Sequence, residues 1–323
     1  MTNPDMTDKT QRIGFCLIDG YALMSTSAAI EPLRAANLLA GRTLYDMRFV
    51  SLSGTRSRSS AGASFDCVPL AEAGLDFDLV FVVAGGDPLE LREPALSGWL
   101  RRLARAGVRL GGISGGAALL AEAGLLENRR FTIHWQHFDA LRARSPDHLM
   151  ERRLFVIDRD RYTCAGGVAP LDMMHAIIAA EQGADFARRI SDWFIHTRVR
   201  LADDPQKAGH AEKYGLTHPA LVAAVDLMTN HIADPLTLAQ LAQLAGVGAR
   251  QIQRLFAAQM GEPMMRFYRN LRLEKAGELL RQSALPVTEI ALATGFVNVA
   301  HFTRAFREHY GAAPAGWRRA GRT

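Results

Sequence analysis

A serine flanked by glycines is the feature of this chain that most directly indicates chemistry. Residues 111–126 read GGISGGAALLAEAGLL, so Ser114 stands at the centre of a G-x-S-x-G pattern, between an apolar run and a helix-forming stretch. That order is typical of a nucleophile elbow, in which a serine on a tight strand-to-helix turn attacks an acyl carbon. The same turn would place the amides of Gly115 and Gly116 at a helix N-terminus, where they favour a bound anion.

A serine at such a turn needs a base and an orienting carboxylate before it can act as a nucleophile. The candidates downstream of the motif are the bases His134 and His137 and the carboxylates of Asp139, Asp158 and Asp172. Glycines at this turn are also explained by close packing of a helix on a strand, and serine is a common helix N-cap. The residues alone therefore leave two interpretations open, a hydrolase and a non-catalytic turn.

A second set of candidate functional residues lies in a repeat near the end of the chain. Residues 236–263 and 285–314 match at an offset of 49, which becomes 50 after one extra residue in the second copy. Each copy has the pattern of helix, glycine-centred turn and helix, with Gly246 and Gly295 at the turns. This pattern predicts two helix-turn-helix units, in each of which the second helix enters the major groove of DNA.

The second helix of each predicted unit carries hydrogen-bonding side chains opposite an apolar face. Arginine donates to guanine edges, and asparagine or glutamine pairs with adenine. We therefore expect six residues to bind DNA: Arg250, Gln253 and Arg254 in the first unit, and Asn298, His301 and Arg304 in the second. An ordinary helical bundle with a solvated polar face is the alternative that the pattern leaves open.

The distribution of charge favours the DNA interpretation. The net charge of the 323-residue chain is +5, and the whole excess lies in residues 217–323, which hold 12 basic and 7 acidic residues. Eleven of those basic residues are arginine, whose rigid fork of donors suits phosphate oxygens and guanine edges. The preceding residues are balanced in charge, so the attraction for nucleic acid is expected in the last third of the chain.

Alternating strands and helices must position the serine motif. Helical patterns separate apolar runs that have the length of strands, and a hairpin follows them near residues 154–164. This alternation predicts an α/β domain with a parallel sheet, whose strands lie at about 12–18, 47–52, 78–84 and 108–113. The third run is nearly continuous, which is typical of a strand that is covered on both faces.

The composition of the sequence changes at Arg198, and the chain is expected to consist of four segments. A polar stretch rich in proline, glycine and mixed charges is followed by residues with 3.6-residue apolar periodicity. The predicted segments are a disordered tail at 1–11, an α/β domain at 12–199, a linker at 200–216 and an all-α domain at 217–323.

Composition excludes several other classes of protein. No uncharged apolar run reaches 18 residues, and the first twelve residues have no secretory signal pattern. Three widely spaced cysteines exclude a disulfide framework and a short-spaced metal site. We expect a cytoplasmic protein that has no membrane association, no cofactor and no bound metal.

The last third of the chain resembles the DNA-binding domain of AraC/XylS transcription regulators. The resemblance rests on RLEKAGELL at 272–280, IALATGF at 290–296 and HFTRAFREHYGAAP at 301–314. It implies that a long helix, about residues 264–282, joins the two units, whose second helices enter adjacent major grooves. Arg318 and Arg319 are expected to follow the last helix and to affect all DNA sequences alike.

The earlier part of the chain, from residue 12 to about 200, resembles the PfpI-type, class I glutamine amidotransferase-like fold. The matching stretches are VVAGGDP at 82–88, GGISGGAALLAEAGLLENRRFTIHW at 111–135 and TCAGGVAPLDMMHAII at 163–178. The resemblance implies a flavodoxin-like sandwich built on a parallel sheet.

The resemblance also bears on the candidate catalytic residues. Members of this superfamily place a cysteine at the elbow, where this chain has Ser114, and the histidine of the family matches His134. The family's carboxylate falls near Ser25, in a stretch without an acid, and Glu31 is the nearest one. With the nucleophile changed and the acid missing, the resemblance implies a pocket that binds a ligand without catalysis.

Together the two resemblances imply a ligand-responsive transcription regulator. Its expected partners are double-stranded DNA, a small-molecule effector of the amino-acid-derived or quaternary amine class, a second copy bound through the first domain, and RNA polymerase. In the expected pocket, amides hold a carboxylate and an aromatic ring of Tyr21, Trp135 or Phe138 faces a cationic amine. The expected ligand-binding residues are Gly86, Ser114, Gly115, Gly116, His134 and Trp135. The alternative is a hydrolase or amidotransferase that uses Ser114 and His134 and carries an accessory DNA-binding module.

Overall fold

Two units with separate cores make up the chain, one ending at Gln206 and the other beginning at Lys207. The first eight residues of the predicted tail lie outside the described residues, whereas Gln11 already belongs to the first strand. The structure is a computed structural model that describes residues 9–52, 54–207, 209–283 and 285–320.

The first unit contains a seven-stranded, mostly parallel sheet. Its strands are β1 (Gln11–Leu17), β2 (Tyr45–Ser51), β5 (Val68–Pro69), β6 (Leu79–Ala84), β7 (Arg109–Ser114), β8 (Phe155–Asp158) and β9 (Arg161–Cys164). They lie in the order β5-β2-β1-β6-β7-β9-β8, in which β8 and β9 form the predicted antiparallel hairpin. A separate two-stranded sheet, which the sequence pattern did not indicate, pairs β3 (Arg56–Arg58) with β4 (Ser64–Asp66).

Helices cover both faces of the sheet, so the predicted flavodoxin-like sandwich is confirmed. One face packs against α1 (Leu23–Ala40), α5 (Ala169–Gln182) and α6 (Ala184–Trp193). The other packs against α2 (Pro94–Arg105), α3 (Gly116–Glu122) and α4 (Trp135–Arg144). Strand β6 is buried throughout and alternates between the two cores, as its continuous apolar run predicted.

Part of the predicted linker is attached to the first unit. The fully buried carboxylate of Asp172 accepts hydrogen bonds from the guanidinium of Arg200 at 2.7 and 3.0 Å and from its backbone amide at 2.9 Å. Nε2 of His196 lies 2.9 Å from the same carboxylate. Further on, Nε2 of Gln206 donates to the carbonyl of Arg153 at 2.7 Å. These contacts keep the chain on the first unit beyond residue 199, where the sequence placed the boundary.

The second unit is entirely helical in its described residues. After the short helix α7 (His210–Lys213), its elements are α8 (Pro219–Asn230), α9 (Leu238–Leu244), α10 (Ala249–Met260), α11 (Met264–Gln282), α12 (Val287–Ala293), α13 (Val299–Tyr310) and α14 (Pro314–Ala320). Helices α9 and α10 form one predicted helix-turn-helix unit, and α12 and α13 form the other, with α11 joining them as expected.

Helix α11 contributes to two separate apolar cores. Its first half packs Met264, Phe267 and Tyr268 into the core of the first helix-turn-helix unit. Its second half packs Leu273 and Leu280 into the core of the second helix-turn-helix unit. Each unit therefore has its own apolar interior, and α11 connects the two interiors.

The end of the chain differs from the expectation for Arg318 and Arg319, since both lie within α14 and not beyond the last helix. The guanidinium of Arg318 donates to the carbonyls of Leu280 and Leu285, so its donors bind the end of α11 and the loop after it. The expectation that Arg318 and Arg319 follow the last helix is therefore wrong, whereas their equal effect on all DNA sequences stays a prediction.

Candidate functional site

Ser114 occupies the elbow that the sequence predicted. It is the last residue of β7, where it pairs with Ala84 of β6, and α3 begins two residues later at Gly116. Its φ of 58° lies in the left-handed region, which a residue with a Cβ adopts at a cost and which is concentrated at functional sites. The strand, tight turn and helix around Ser114 are thus those of a nucleophile elbow.

The glycines beside Ser114 allow α3 to pack directly on β6. A Cβ on Gly116 would lie 1.9 Å from the carbonyl oxygen of Val82, and one on Gly115 would lie 2.6 Å from Cγ of Pro88. The amide of Gly115 donates to the carbonyl of Ala84 at 3.0 Å. The expectation that this amide holds a ligand is therefore wrong, because it joins the turn to the neighbouring strand.

A second glycine pair covers the elbow from the opposite side. A Cβ on Gly166 would lie 2.7 Å from Cβ of Ser114. The next amide, that of Gly167, donates to Oγ of the buried Ser25 at 2.8 Å. Ser25 thus stands beside the elbow, where the resemblance placed a carboxylate, and it binds the backbone of the covering loop. The glycines of the AGG sequence at 165–167 were the signal from which this loop could have been expected.

The two candidate bases lie at the start of α4, next to the elbow. The backbone amide of His134 donates to the carbonyl of Ser114 at 3.5 Å, and its Nδ1 accepts the amide of Gln136 at 3.2 Å as the helix N-cap. Burial and the neighbouring His134 lower the pKa of His137 to about 4, against the opposing charge of Asp87. His137 is therefore neutral at neutral pH. The indole of Trp135 lies 5.2 Å from the His134 ring.

The three candidate carboxylates for a triad are paired elsewhere. Asp139 forms an ion pair with Arg152, Asp158 accepts the amide of Arg130 at 2.8 Å, and Asp172 binds Arg200 and His196 as described above. The thiol of Cys164, which pairs with Ile113 beside the elbow, is buried, and that burial raises its pKa to about 12. A thiol with this pKa is protonated at neutral pH and does not act as a nucleophile.

An open cavity of about 170 Å³ lies at the carboxyl ends of β1 and β6. Its walls are two loops, and a Cβ on Gly85 would lie 2.5 Å from the carbonyl oxygen of Gly20. The expected ligand residue Gly86 lines this cavity, whereas Ser114 lies one strand away, next to Ala84. The lining residues are Ile18, Asp19, Gly20, Ala84, Gly85, Gly86, Asp87, Pro88 and Leu91.

Two carboxylates of this cavity were missed by the sequence reasoning. Asp19 follows β1 and accepts hydrogen bonds from Oγ of Ser57 at 2.7 Å and from the amide of Arg58 at 3.0 Å. Asp87 follows β6 and is exposed. Acidic residues directly after two parallel strands were the available signal, because neighbouring strand ends meet at one edge of the sheet. A cavity with two carboxylates favours a cationic group.

Two of the three aromatic residues expected to face a ligand belong to the core. Tyr21 is fully buried, with its ring 6.2 Å from that of Phe65. Phe138 is buried, and the guanidinium of Arg152 lies 4.1 Å above its ring. The expected role is therefore wrong for Tyr21 and Phe138, because their faces are already occupied. Trp135 is half-buried and keeps its candidacy.

All six residues expected to bind DNA are exposed on the second helices of their units or at the start of those helices. On α10 the apolar face buries Ile252 and Phe256, and on α13 it buries Phe302, Ala305 and Phe306. Asn298 has a further role that the sequence did not indicate, since its Oδ1 accepts the amide of His301 at 3.0 Å and caps α13. The exposed residues are Arg250, Gln253, Arg254, Asn298, His301 and Arg304.

The turns of both units use glycine in the left-handed region, as predicted. Gly246 has a φ of 72° and Gly295 one of 75°. In the second unit, Nε of Arg272 on α11 donates to the carbonyl of Thr294 at 2.8 Å, and its guanidinium lies 4.3 Å from the ring centre of Phe296. This arginine therefore fixes the start of the turn that aims α13.

The described residues contain no group of three or more metal-ligating side chains that could hold an ion. No helix within those same residues combines the length and the apolarity that a membrane span needs.

Comparison with known proteins gives two family matches. Residues 11–180 match the DJ-1/PfpI family, and residues 241–320 match a family described as a helix-turn-helix domain. The HTH-type transcriptional regulator GlxA of Rhizobium meliloti (strain 1021) is 49% identical over 96% of this chain and 96% of its own length. The HTH-type transcriptional regulator CdhR of Pseudomonas aeruginosa is 40% identical over 95% of this chain and 91% of its own length.

Solved structures agree with these matches. A crystal structure of an AraC family transcriptional regulator from Pseudomonas putida has a TM-score of 0.53 and 28% identity, covering 57% of this chain and 99% of that chain. A THiJ/PfpI family protein from Pseudomonas syringae has a TM-score of 0.50 and 22% identity, over 76% of this chain and 96% of its own. The second likeness shows the fold alone.

An α/β domain followed by two helix-turn-helix units defines this protein as a DNA-binding transcription regulator. Within that class, the chain belongs to the AraC/XylS family of regulators, in the group whose first domain is of the DJ-1/PfpI type. Both resemblances are confirmed, and the ordinary helical bundle is excluded for the repeat. The relatives are named as regulators, which does not favour the hydrolase or amidotransferase alternative.

Proposed function

We propose that this regulator binds a promoter operator through both helix-turn-helix units and responds to a small zwitterionic amine held by its first unit. The observation that carries the DNA part is the duplicated arrangement of α10 and α13. Each helix buries an apolar face and exposes hydrogen-bonding residues, and Arg254 and Arg304 hold equivalent positions. Double-stranded DNA is therefore proposed as the main partner, and the cytoplasm as the compartment in which the protein acts.

The ligand part of the proposal rests on the charges around the strand ends of the first unit. The carboxylates of Asp19 and Asp87 supply the negative side of the cavity at β1 and β6 and attract an ammonium or quaternary amine group. The hydroxyl of Ser114 and the amide of Gly116 receive the acidic end of the ligand at the neighbouring elbow. His134 and Trp135 form the wall at the start of α4, and the indole face suits a cation. Amino acids and betaines carry both of these groups, so they are the members of the amino-acid-derived and quaternary amine classes that fit the site.

A thermal-shift screen of the full chain tests the ligand part. Small amino acids, betaines, simple amines and simple carboxylates are added separately, because a ligand that binds the folded state raises the melting temperature. We expect zwitterionic amines to stabilise the protein more than amines or carboxylates alone. Asp87→Asn should abolish the shift. Asp76→Asn is the matched control, since the Asp76 side chain is 92% exposed and pairs with Arg12. Stabilisation by carboxylates alone, unaffected by Asp87→Asn, would refute the amine assignment.

The first unit is proposed to act without catalysis and to join two copies of the chain. The elbow keeps its backbone geometry, but its serine lacks the neighbouring acid of the family, and His134 caps a helix. Size-exclusion chromatography with light scattering tests the homodimer. RNA polymerase is proposed as the partner at the promoter, which transcription in vitro with purified polymerase tests directly.

A further inference from the structure

We propose that the second helix-turn-helix unit recognises thymine methyl groups through Val297 and Ala300, whereas the first unit recognises its bases by hydrogen bonding. This inference rests on the proposed binding of an operator by both units. It predicts an operator with two chemically different halves, of which the half under α13 is rich in thymine.

The observation behind the proposal is an apolar side chain in an exposed position. Val297 is 93% exposed, which is the highest value for a large apolar side chain among the described residues. It stands between the buried Phe296 and Asn298, the N-cap of α13. It is also the extra residue of the second copy in the repeat, so the first unit has no counterpart.

The N-terminal end of α13 continues this apolar character. Ala300 is exposed in the first turn, and His301 beside it is exposed as well. In helix-turn-helix proteins, residues at the N-terminal end of the second helix contact base edges. Val297 and Ala300 therefore occupy the place at which side chains of this architecture meet the floor of the major groove.

Equivalent positions of the first unit carry donors instead. At the repeat offset of 50, Ala300 corresponds to Arg250 and His301 to Gln251, and both α10 residues are exposed. Helix α10 thus presents arginine and glutamine groups that suit guanine and adenine. The one apolar group that base edges offer in the major groove is the C5-methyl of thymine, and an exposed valine and alanine suit it.

Nearby charges keep this apolar patch within a DNA-binding surface. Arg304 and Arg307 are exposed further along α13, where their guanidinium groups suit phosphate oxygens. An apolar contact of one methyl group contributes a few-fold change in affinity, because burying one methyl or methylene group is worth about 0.8 kcal/mol. Val297 and Ala300 therefore adjust sequence preference, while the arginines supply general affinity.

The test replaces thymine by deoxyuridine, which removes only the methyl group. Duplexes are first selected from a random pool with the full chain, and missing contacts in Arg254→Ala and Arg304→Ala footprints assign each half to its helix. Deoxyuridine in the half under α13 should weaken binding roughly three- to tenfold. The same replacement under α10 should have little effect. Val297→Ser should bring the affinities for the thymine and deoxyuridine duplexes closer together, and a variant that also carries Ala300→Ser should bind the two equally.

The matched control is Leu244→Ser. Leu244 is also an exposed apolar side chain, at 59%, but it lies at the end of α9 and not on the second helix of either helix-turn-helix unit. This variant should discriminate thymine from deoxyuridine as the unmodified protein does. If duplexes are selected but deoxyuridine under α13 changes nothing, or if Val297→Ser discriminates as strongly as the unmodified protein does, the methyl-recognition proposal is wrong. If no duplex is selected at all, the proposed DNA-binding function itself fails.

Discussion

Gly246 and Gly295, the turn glycines of the two helix-turn-helix units, have the same backbone conformation but different surroundings. A Cβ on Gly295 would lie 2.7 Å from the carbonyl oxygen of Ile232 and 2.8 Å from Cδ of Pro235. A Cβ on Gly246 would meet nothing within 4 Å. Both positions require a positive φ, but Gly295 also provides the space that lets the second turn approach the loop after α8.

This difference predicts unequal effects of the same substitution. Gly246→Ala should lower the free energy of unfolding of the helical part of the chain, which begins at Lys207, by about 1 kcal/mol. That is the cost of a Cβ in the left-handed region. Gly295→Ala should lower it by about 2–3 kcal/mol, because the new methyl group overlaps a backbone carbonyl. Urea titration followed by the helical circular dichroism signal measures both values. Equal losses for the two variants would show that the approach of the second turn to Ile232 is unimportant.

The pKa of His137 predicts a pH dependence of stability. The folded protein holds this pKa at about 4 through burial, whereas an unfolded histidine titrates near 6.5. Between these two pH values the unfolded chain binds more protons than the folded chain. The contribution of His137 to the free energy of unfolding is therefore fully present above about pH 6.5 and is lost as the pH falls toward 4. The loss should be on the order of 3 kcal/mol. His137→Gln should flatten the dependence without abolishing it, because burial also lowers the pKa of His175. Urea unfolding at several pH values tests this, and an unchanged slope in His137→Gln contradicts it.

Ser114 is expected to bind and not to attack. Ser114→Ala removes one hydrogen bond to the ligand and should weaken the binding free energy by about 0.5–1.5 kcal/mol. The ligand-induced rise in melting temperature should become correspondingly smaller. Ser114→Leu should abolish the shift, since the larger side chain has to fit beside Gly166. Mass spectrometry after treatment with a fluorophosphonate should find no adduct. A stoichiometric adduct at Ser114, together with ester turnover that disappears in Ser114→Ala, would support the hydrolase alternative.

At the scale of elements, apolar runs were sufficient to locate the main strands. The runs at 12–18 and 78–84 predicted β1 and β6 to within one residue at each end, because a strand buried on both faces leaves a continuous signal. After the run at 78–84 the residues from Pro88 onward favour a helix, but α2 begins only at Pro94, and residues 88–93 belong to the loop beside the cavity. The helix-forming residues of this segment gave no sign of the loop, since it is held by a distant residue: the guanidinium of Arg144 donates to the carbonyl of Leu89 at 2.6 Å.

Spatial neighbours explain what the sequence could not give for the site. Asp19 and Asp87 are 68 positions apart and meet because β1 lies next to β6 in the sheet. In the same way, Tyr21 is buried against Phe65 from a later strand, and Arg152 stacks on Phe138 because the chain folds back after α4. The elbow at Ser114 and the turns at Gly246 and Gly295 were predictable because their geometry is determined by adjacent residues.

Equivalent substitutions on α10 and α13 should separate the contributions of the two units. Arg254→Ala and Arg304→Ala should each cost about 1–3 kcal/mol in operator binding, because each removes one base or phosphate contact. The losses should map to parts of the footprint roughly one helical turn apart. Gel-shift titration and footprinting with the full chain measure them. Arg281→Ala, on α11 near Trp317, is the control and should leave DNA contacts unchanged. Wild-type affinity in both recognition-helix variants would refute the assigned surface.

At the scale of the whole molecule, Asp172 predicts that the two units lose stability independently. Asp172→Asn removes the buried charge that binds Arg200 and His196, and should lower the stability of the first unit by about 2–4 kcal/mol. The buried Trp99 reports on that unit by fluorescence. Binding of a selected duplex reports on the second unit, whose affinity should not change. A parallel loss of DNA binding would show that the units are coupled through residues 196–206.

The two cores along α11 have a consequence for how the protein meets a promoter. The helix has 19 residues and is therefore about 28 Å long, comparable to one turn of the DNA duplex. A single chain thus carries two different recognition helices, α10 and α13, at a fixed separation and in a fixed order. Such a chain has no twofold symmetry, and the sequence that it fits reads differently in its two directions. Each bound chain therefore has an orientation along the promoter, with α10 toward one end and α13 toward the other.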